Sequence, residues 1–104
     1  MSTIEKLAAT IASRASASPD HSYTSKLISA GIDKCAKKFG EEAFELALAA
    51  ASKDKAHTAQ EAADVIYHLL VLLQATGVSL AEVETILAGR EAQSGLDEKA
   101  GRGG

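Results

Sequence analysis

Two acidic groups stand out by residue type and spacing. The run E-E-A-F-E supplies Glu41, Glu42 and Glu45, and the run E-A-A-D supplies Glu61 and Asp64. Glu42 and Glu45 are three residues apart, as are Glu61 and Asp64, so on helices each pair projects from one side, one turn apart. A short polar break, Lys53 to Lys55, separates the two segments. It predicts adjacent antiparallel helices whose acid pairs reach a common site. Gathered carboxylates repel one another by tenths of a kcal/mol or more per pair, and a divalent cation removes that penalty. Mg²⁺ takes octahedral oxygen ligands: a few carboxylates, waters and phosphate oxygens. Two such ions can clamp the attacking and leaving oxygens of a phosphoryl displacement. The ordinary alternative is a solvated acidic helix face, which holds for about nine in ten helical glutamates because charged residues mostly stay exposed. Against it, Glu61, Asp64 and His68 lie about a turn apart beside Ala62, Ala63, Val65 and Ile66. An acid pair leading into such an apolar helix needs a partner or a metal.

The elements that must hold these acids are helical. The chain has 104 residues, enough for one domain with a modest core. Hydrophobic residues make up 46% and aromatics only 4%, with abundant alanine, which suits closely packed helices better than sheets. Four or five helices are expected, in an all-α fold. Residues 3–15 carry Ile4, Leu7, Ala8 and Ile11 at helical spacing, and the segment around Pro19 reads as a loop. Ser22 is the expected N-cap of a short helix stopped near Gly31. A longer helix follows over 32–52, interrupted by Gly40 at about 1 kcal/mol relative to alanine. The next helix runs over 57–75 and closes at Gly77; Ser79 and Glu82 form a capping box for a last helix ending near Glu91. Domain boundaries are placed at 1–92 for the helical unit and 93–104 for a flexible tail. From Val65 to Leu73 the central helix reads VIYHLLVLL, apolar on nearly every face, and one short chain has few elements to cover it. A homodimer or higher oligomer centred on this helix is the expectation.

Net charge is -3 with no basic stripe, so nucleic acid is not an expected partner. Cys35 alone excludes an intramolecular disulfide framework and a multi-cysteine metal site. It is expected to be a small packing residue. The first residues do not read as a signal peptide and no apolar run is long enough to span a bilayer, so no membrane is expected and a cytoplasmic location is the default.

The motifs together resemble a known family. E-x-x-E, fifteen residues, then E-x-x-D is similar to the metal-binding signature of the all-α, MazG-type nucleotide pyrophosphohydrolases. More closely, the chain resembles the phosphoribosyl-ATP pyrophosphatases of histidine biosynthesis. The matching pieces are S-Y-T-x-K-L from Ser22, K-x-G-E-E-x-x-E from Lys38, E-x-x-D-x-x-Y-H from Glu61, V-L-L from Val71, L-x-x-R from Leu87 and S-G-L-x-E-K from Ser94. Phe39 departs from the β-branched residue expected there. The resemblance implies hydrolysis of phosphoribosyl-ATP to phosphoribosyl-AMP and pyrophosphate, the second step of L-histidine biosynthesis. It further implies Mg²⁺ as cofactor and an all-α homodimeric bundle. By position, Glu42, Glu45, Glu61 and Asp64 are implied as metal ligands, with Glu41 the candidate to orient or deprotonate the attacking water. The same metal site would also serve a house-cleaning nucleoside triphosphate pyrophosphohydrolase. A non-catalytic helical adaptor would instead show scattered acids and a surface apolar stripe.

Other residues carry weaker readings. Lys38 is either an i,i+4 partner of Glu42 or a phosphate contact. Arg14 and Lys26 flank the segment carrying Ser22 and Tyr23 and are candidates for phosphate binding. Tyr23 reads slightly more as a core aromatic than as a ring stacked on a base, and His68 as a hydrogen-bonded core histidine. The tail match at Ser94 to Lys99, with Arg102, has no packing explanation: the tail is either passive, the favoured reading, or orders over substrate phosphates through Lys99 or Arg102. If it orders, truncation after Gln93 should raise KM for phosphoribosyl-ATP several-fold while leaving melting temperature and oligomeric state in place. Unchanged steady-state kinetics in the truncated chain would leave the tail no role.

Overall fold

Helix ends in this chain are fixed by short polar side chains. Ser2 accepts from the Glu5 amide at 3.1 Å and Glu5 returns a bond to the Ser2 amide at 2.9 Å, a reciprocal cap that also holds the Glu5 carboxyl below its ordinary pKa. It opens α1 (Thr3–Ala15). Ser22 caps α2 (Tyr23–Ala30) by accepting from the Ser25 amide, as expected, and Gly31 ends it at φ 104°, a backbone conformation that favours glycine. The computed structural model describes residues 1–19 and 22–92 of the chain. Its remaining helices are α3 (Ile32–Ala51), α4 (Lys55–Thr76) and α5 (Leu80–Ala92), and among the described residues there is no strand. The expected tail, with Lys99 and Arg102, lies outside the described residues.

Helix α3 runs unbroken through Gly40, whose missing side chain would meet nothing within 4 Å. The link to α4 is tight. Ser52 donates to the Leu48 carbonyl, Lys53 adopts φ 61°, and Asp54 accepts from the His57 amide at 3.0 Å. Asp54 is thus an N-cap, which starts α4 two residues earlier than the apolar periodicity suggests. Two long helices in extensive contact across so short a link must run antiparallel. Gly77, at φ 79°, ends α4 in the left-handed conformation. Ser79 and Glu82 then form the predicted capping box, and the chain bends by 111° into α5.

The core lies at the open end of the α3–α4 hairpin, where α1 and α2 close over it. Ile11, Leu27, Cys35, Leu70 and Val71 form one buried cluster drawn from the first four helices. Each large aliphatic side chain enclosed there contributes about 1.5–3 kcal/mol. Cys35 packs as expected: its thiol donates to the Leu27 carbonyl and burial pushes its pKa up, keeping it neutral. The buried Ser25 hydroxyl bonds the Ser18 and Ser22 carbonyls, tying the loop to α2. One chain covers α4 only in part. Leu70 and Val71 are buried, but Val65, Ile66, Leu69, Leu72 and Leu73 are half-buried. Helix α5 has at most peripheral contact with the other helices and exposes Ile86 and Leu87. No single helix among the described residues is long and apolar enough to cross a membrane.

Leu70→Asp places an uncompensated carboxylate in this cluster at a cost of several kcal/mol. The variant should be insoluble or unfolded by circular dichroism and size-exclusion chromatography. A soluble, native-like helical protein would show that the Leu70 face is not core.

Candidate functional site

The antiparallel register sets the acids of α3 against those of α4, between the core and the hairpin turn. Glu42, Glu45 and Glu61 each offer a carboxylate oxygen within 4.8 Å of the others. Glu42 and Glu61 are half-buried and Glu45 is exposed. The Glu61 side chain keeps only 14% of its surface in contact with solvent. Its Oε1 lies 3.1 Å from Nε2 of His57, while its Oε2 is enclosed with no hydrogen-bond partner among the described residues. An enclosed, unpartnered carboxylate oxygen is costly. Glu42 registers the same crowding. Partial burial pushes its carboxyl above the ordinary range, a side-chain hydrogen bond and charge from Glu45 add to the rise, and Asp64 adds a little more; nearby His68 opposes them. Three hard oxygen donors on two helices, one with an orphaned oxygen, fit a divalent cation such as Mg²⁺.

Asp64 is exposed and falls outside the three-carboxylate group, although its charge is felt at Glu42. Glu41, also exposed, points to a different partner: Lys38 Nζ is 3.5 Å from its Oε1. Lys38 therefore pairs with Glu41 across i,i+3 and not with Glu42 across i,i+4. The Lys38 ammonium is held above its ordinary pKa, first by the negative charge that Tyr23 gains on ionising and then, against partial burial, by Glu41 and Glu42. Arg14, in the last turn of α1, and Lys26, on α2, are exposed and form no ion pair among the described residues.

Tyr23 is 51% exposed, so it is no core aromatic. Its ring stacks against Tyr67 at 6.3 Å between centroids, and its hydroxyl lies 3.4 Å from His68 Nε2. His68 is buried, as expected, and Nδ1 donates to the Asp64 carbonyl at 2.9 Å, leaving Nε2 to accept from Tyr23. Tyr67 in turn bonds the buried Thr24 hydroxyl. This polar net fastens α2 to α4 while the Tyr23 ring stays half exposed.

On its other side the acidic group opens into a cleft of about 360 Å³ towards the hairpin turn. The cleft is lined by Glu45, Leu48, Ala49, Ser52, His57 and Glu61. His57 is the site residue that the sequence did not single out. Its only local signal is the i,i+4 spacing to Glu61, common on any helix.

Comparison with known proteins bears on this arrangement. The family model for phosphoribosyl-ATP pyrophosphohydrolases matches residues 4–91. The phosphoribosyl-ATP pyrophosphatase of Cereibacter sphaeroides is 55% identical over 103 residues, covering 99% of this chain and 100% of its own. That of Dinoroseobacter shibae is 54% identical over 102 residues, covering 98% and 100%. The phosphoribosyl-ATP pyrophosphatase 1 of Rhodopseudomonas palustris is 52% identical over 100 residues, covering 96% and 94%.

The raised Glu42 pKa has a stability consequence of definite sign. In the folded chain Glu42 takes up its proton at higher pH than in the unfolded chain. The charged form thus destabilises the metal-free fold at neutral pH. The penalty shrinks as pH falls through the raised folded value and is gone below the ordinary value near 4.5. Glu42→Gln, melted in chelator, should exceed the wild-type melting temperature at neutral pH, with the gap closing towards pH 4.5. A variant that melts lower at every pH would refute this balance.

Proposed function

The chain belongs to the phosphoribosyl-ATP pyrophosphohydrolase family, and from that premise we infer that it hydrolyses the α–β phosphoanhydride of phosphoribosyl-ATP, yielding phosphoribosyl-AMP and pyrophosphate. The observation that carries this reading is the gathering of Glu42, Glu45 and Glu61 within 4.8 Å of one another, with one Glu61 oxygen enclosed and unpartnered among the described residues. A polyphosphate cannot approach three carboxylates without a cation between them. We therefore assign Mg²⁺ as the cofactor, held by Glu42, Glu45, Glu61 and Asp64. When bound, Mg²⁺ neutralises phosphate charge and makes water more acidic.

The remaining work falls to the chain's own side chains. Glu41, steadied by Lys38, is the proposed group to orient the attacking water and accept its proton, directly or through an outer water. The water oxygen bonds to one phosphorus of the α–β bridge. The bridging oxygen leaves with the other phosphoryl group. Lys38, Arg14 and Lys26 are the proposed cationic contacts for phosphates, and the half-exposed ring of Tyr23 is the proposed platform for a base. The reaction is the second step of L-histidine biosynthesis in this reading, carried out in the cytoplasm. The active form is a homodimer in the same reading, because Phe44, 65% exposed, Leu48, Ile86 and Leu87 would otherwise leave α3 and α5 apolar towards water.

Pyrophosphate release from phosphoribosyl-ATP should require Mg²⁺ and should exceed release from a panel of ordinary nucleoside triphosphates. Glu45→Gln and Asp64→Asn each remove a charged oxygen at nearly constant volume. Both should lose most activity with native circular dichroism. Near wild-type turnover by either variant at saturating Mg²⁺ would reject the assignment of that ligand.

A further inference from the structure

We propose that His57 is a positioning residue that fixes the Glu61 carboxylate for cation binding. The inference rests on the cation reading of the acidic group given above. His57 sits in the first turn of α4, where its amide is held by Asp54 at 3.0 Å. Its Nε2 lies 3.1 Å from Glu61 Oε1. Because a carboxylate only accepts, Nε2 carries the hydrogen. That is true of the neutral Nε2–H tautomer and of the imidazolium alike, so the contact does not depend on the charge of the ring.

The pair is asymmetric, which separates it from an ordinary surface contact. The Glu61 side chain is 14% exposed and the His57 side chain 53% exposed. The ring thus covers an enclosed carboxylate from the solvent side. It is the one hydrogen-bond partner of that carboxylate among the described residues, since Oε2 has none. With Oε1 tied to His57, Oε2 is the oxygen left to a ligand. Glu42 and Glu45 stand within 4.8 Å and push the same carboxylate away electrostatically. Without the histidine, the carboxylate is free to rotate away from its neighbours, and a cation would have to reorder it. Hydrogen bonds that orient ligating carboxylates typically alter metal affinity about 10- to 100-fold when removed.

The test uses the full-length chain without substrate, with Mn²⁺ as an oxygen-preferring probe whose free-ion paramagnetic signal is lost on binding. His57→Ala should bind Mn²⁺ about tenfold or more weakly than wild type. His57→Gln, which keeps an N–H donor at similar reach, should recover most of that loss. Metal-free melting temperature should fall in His57→Ala, which leaves the enclosed Glu61 carboxylate without a partner, and stay near wild type in His57→Gln. In turnover, His57→Ala should raise the Mg²⁺ concentration for half-maximal rate while kcat at saturating Mg²⁺ stays near wild type. Equal Mn²⁺ affinity in wild type and His57→Ala overturns the role of His57 alone. So does a glutamine variant as weak as the alanine variant. A wild-type chain with no saturable Mn²⁺ binding removes the cation reading and this inference with it.

Discussion

Like charges held together between α3 and α4 are the constraint on which the rest of this structure depends. Left to themselves, Glu42, Glu45 and Glu61 would separate the two helices at mid-length. They stay within 4.8 Å because the hairpin is closed at both ends. At the turn, the Asp54 cap and the left-handed Lys53 set the register. At the open end, Leu70, Val71 and Cys35 are packed against Ile11 of α1 and Leu27 of α2. The destabilising feature is thus placed where two stabilising ones flank it, and burial worth several kcal/mol outweighs repulsion worth less.

Alanine makes the arrangement compatible with a short chain. Ala49 is buried and, with Ser52, lines the α3 side of the cleft near the turn. Small side chains there allow the helices to approach and bring glutamates, with their longer reach, onto one point. Larger residues would fill the cleft and separate the acids. The same economy leaves little apolar material in the site itself. Rigidity comes instead from polar ties: Tyr23 to His68, His68 to the Asp64 backbone, Tyr67 to Thr24, and His57 to Glu61.

What could be read from the sequence follows from which interactions are local. Helix ends at Ser22, Gly31, Gly77 and Ser79 were legible because caps depend on a few adjacent residues. So was the meeting of Glu42 and Glu45 with Glu61, which needs only helical spacing and a short link. The Asp54 cap was equally local but hidden among the charged residues of the break. The exposure of Tyr23 is not legible locally: rings usually go inside, and its placement depends on Tyr67 and His68, over forty positions away. The Lys38 partner turned on rotamer choice between Glu41 and Glu42, which spacing does not decide. Asp64 shows the limit of periodicity. A position three residues from Glu61 shares its side of the helix, yet Asp64 stays exposed outside the three-carboxylate group.

An orphaned carboxylate oxygen is a cost in the free chain and a gain in any complex that meets it. Replacing Glu61 with an apolar residue would relieve the free chain and leave the cleft nothing to offer a cation. In the proposed reading the fold keeps a local instability at the point where a cation is to be received, and binding there would return the lost stability by mass action. The half-covered α4 and the apolar faces of α3 and α5 follow the same logic at larger scale. Their exposed side chains are a cost to one copy and would be the interface of the proposed homodimer. A chain of 104 residues cannot both enclose α4 on every side and leave an acidic cleft open to a large anionic substrate. The proposed homodimer would resolve that conflict, because the surface spent on closing α4 then need not come from the helices that carry the acids.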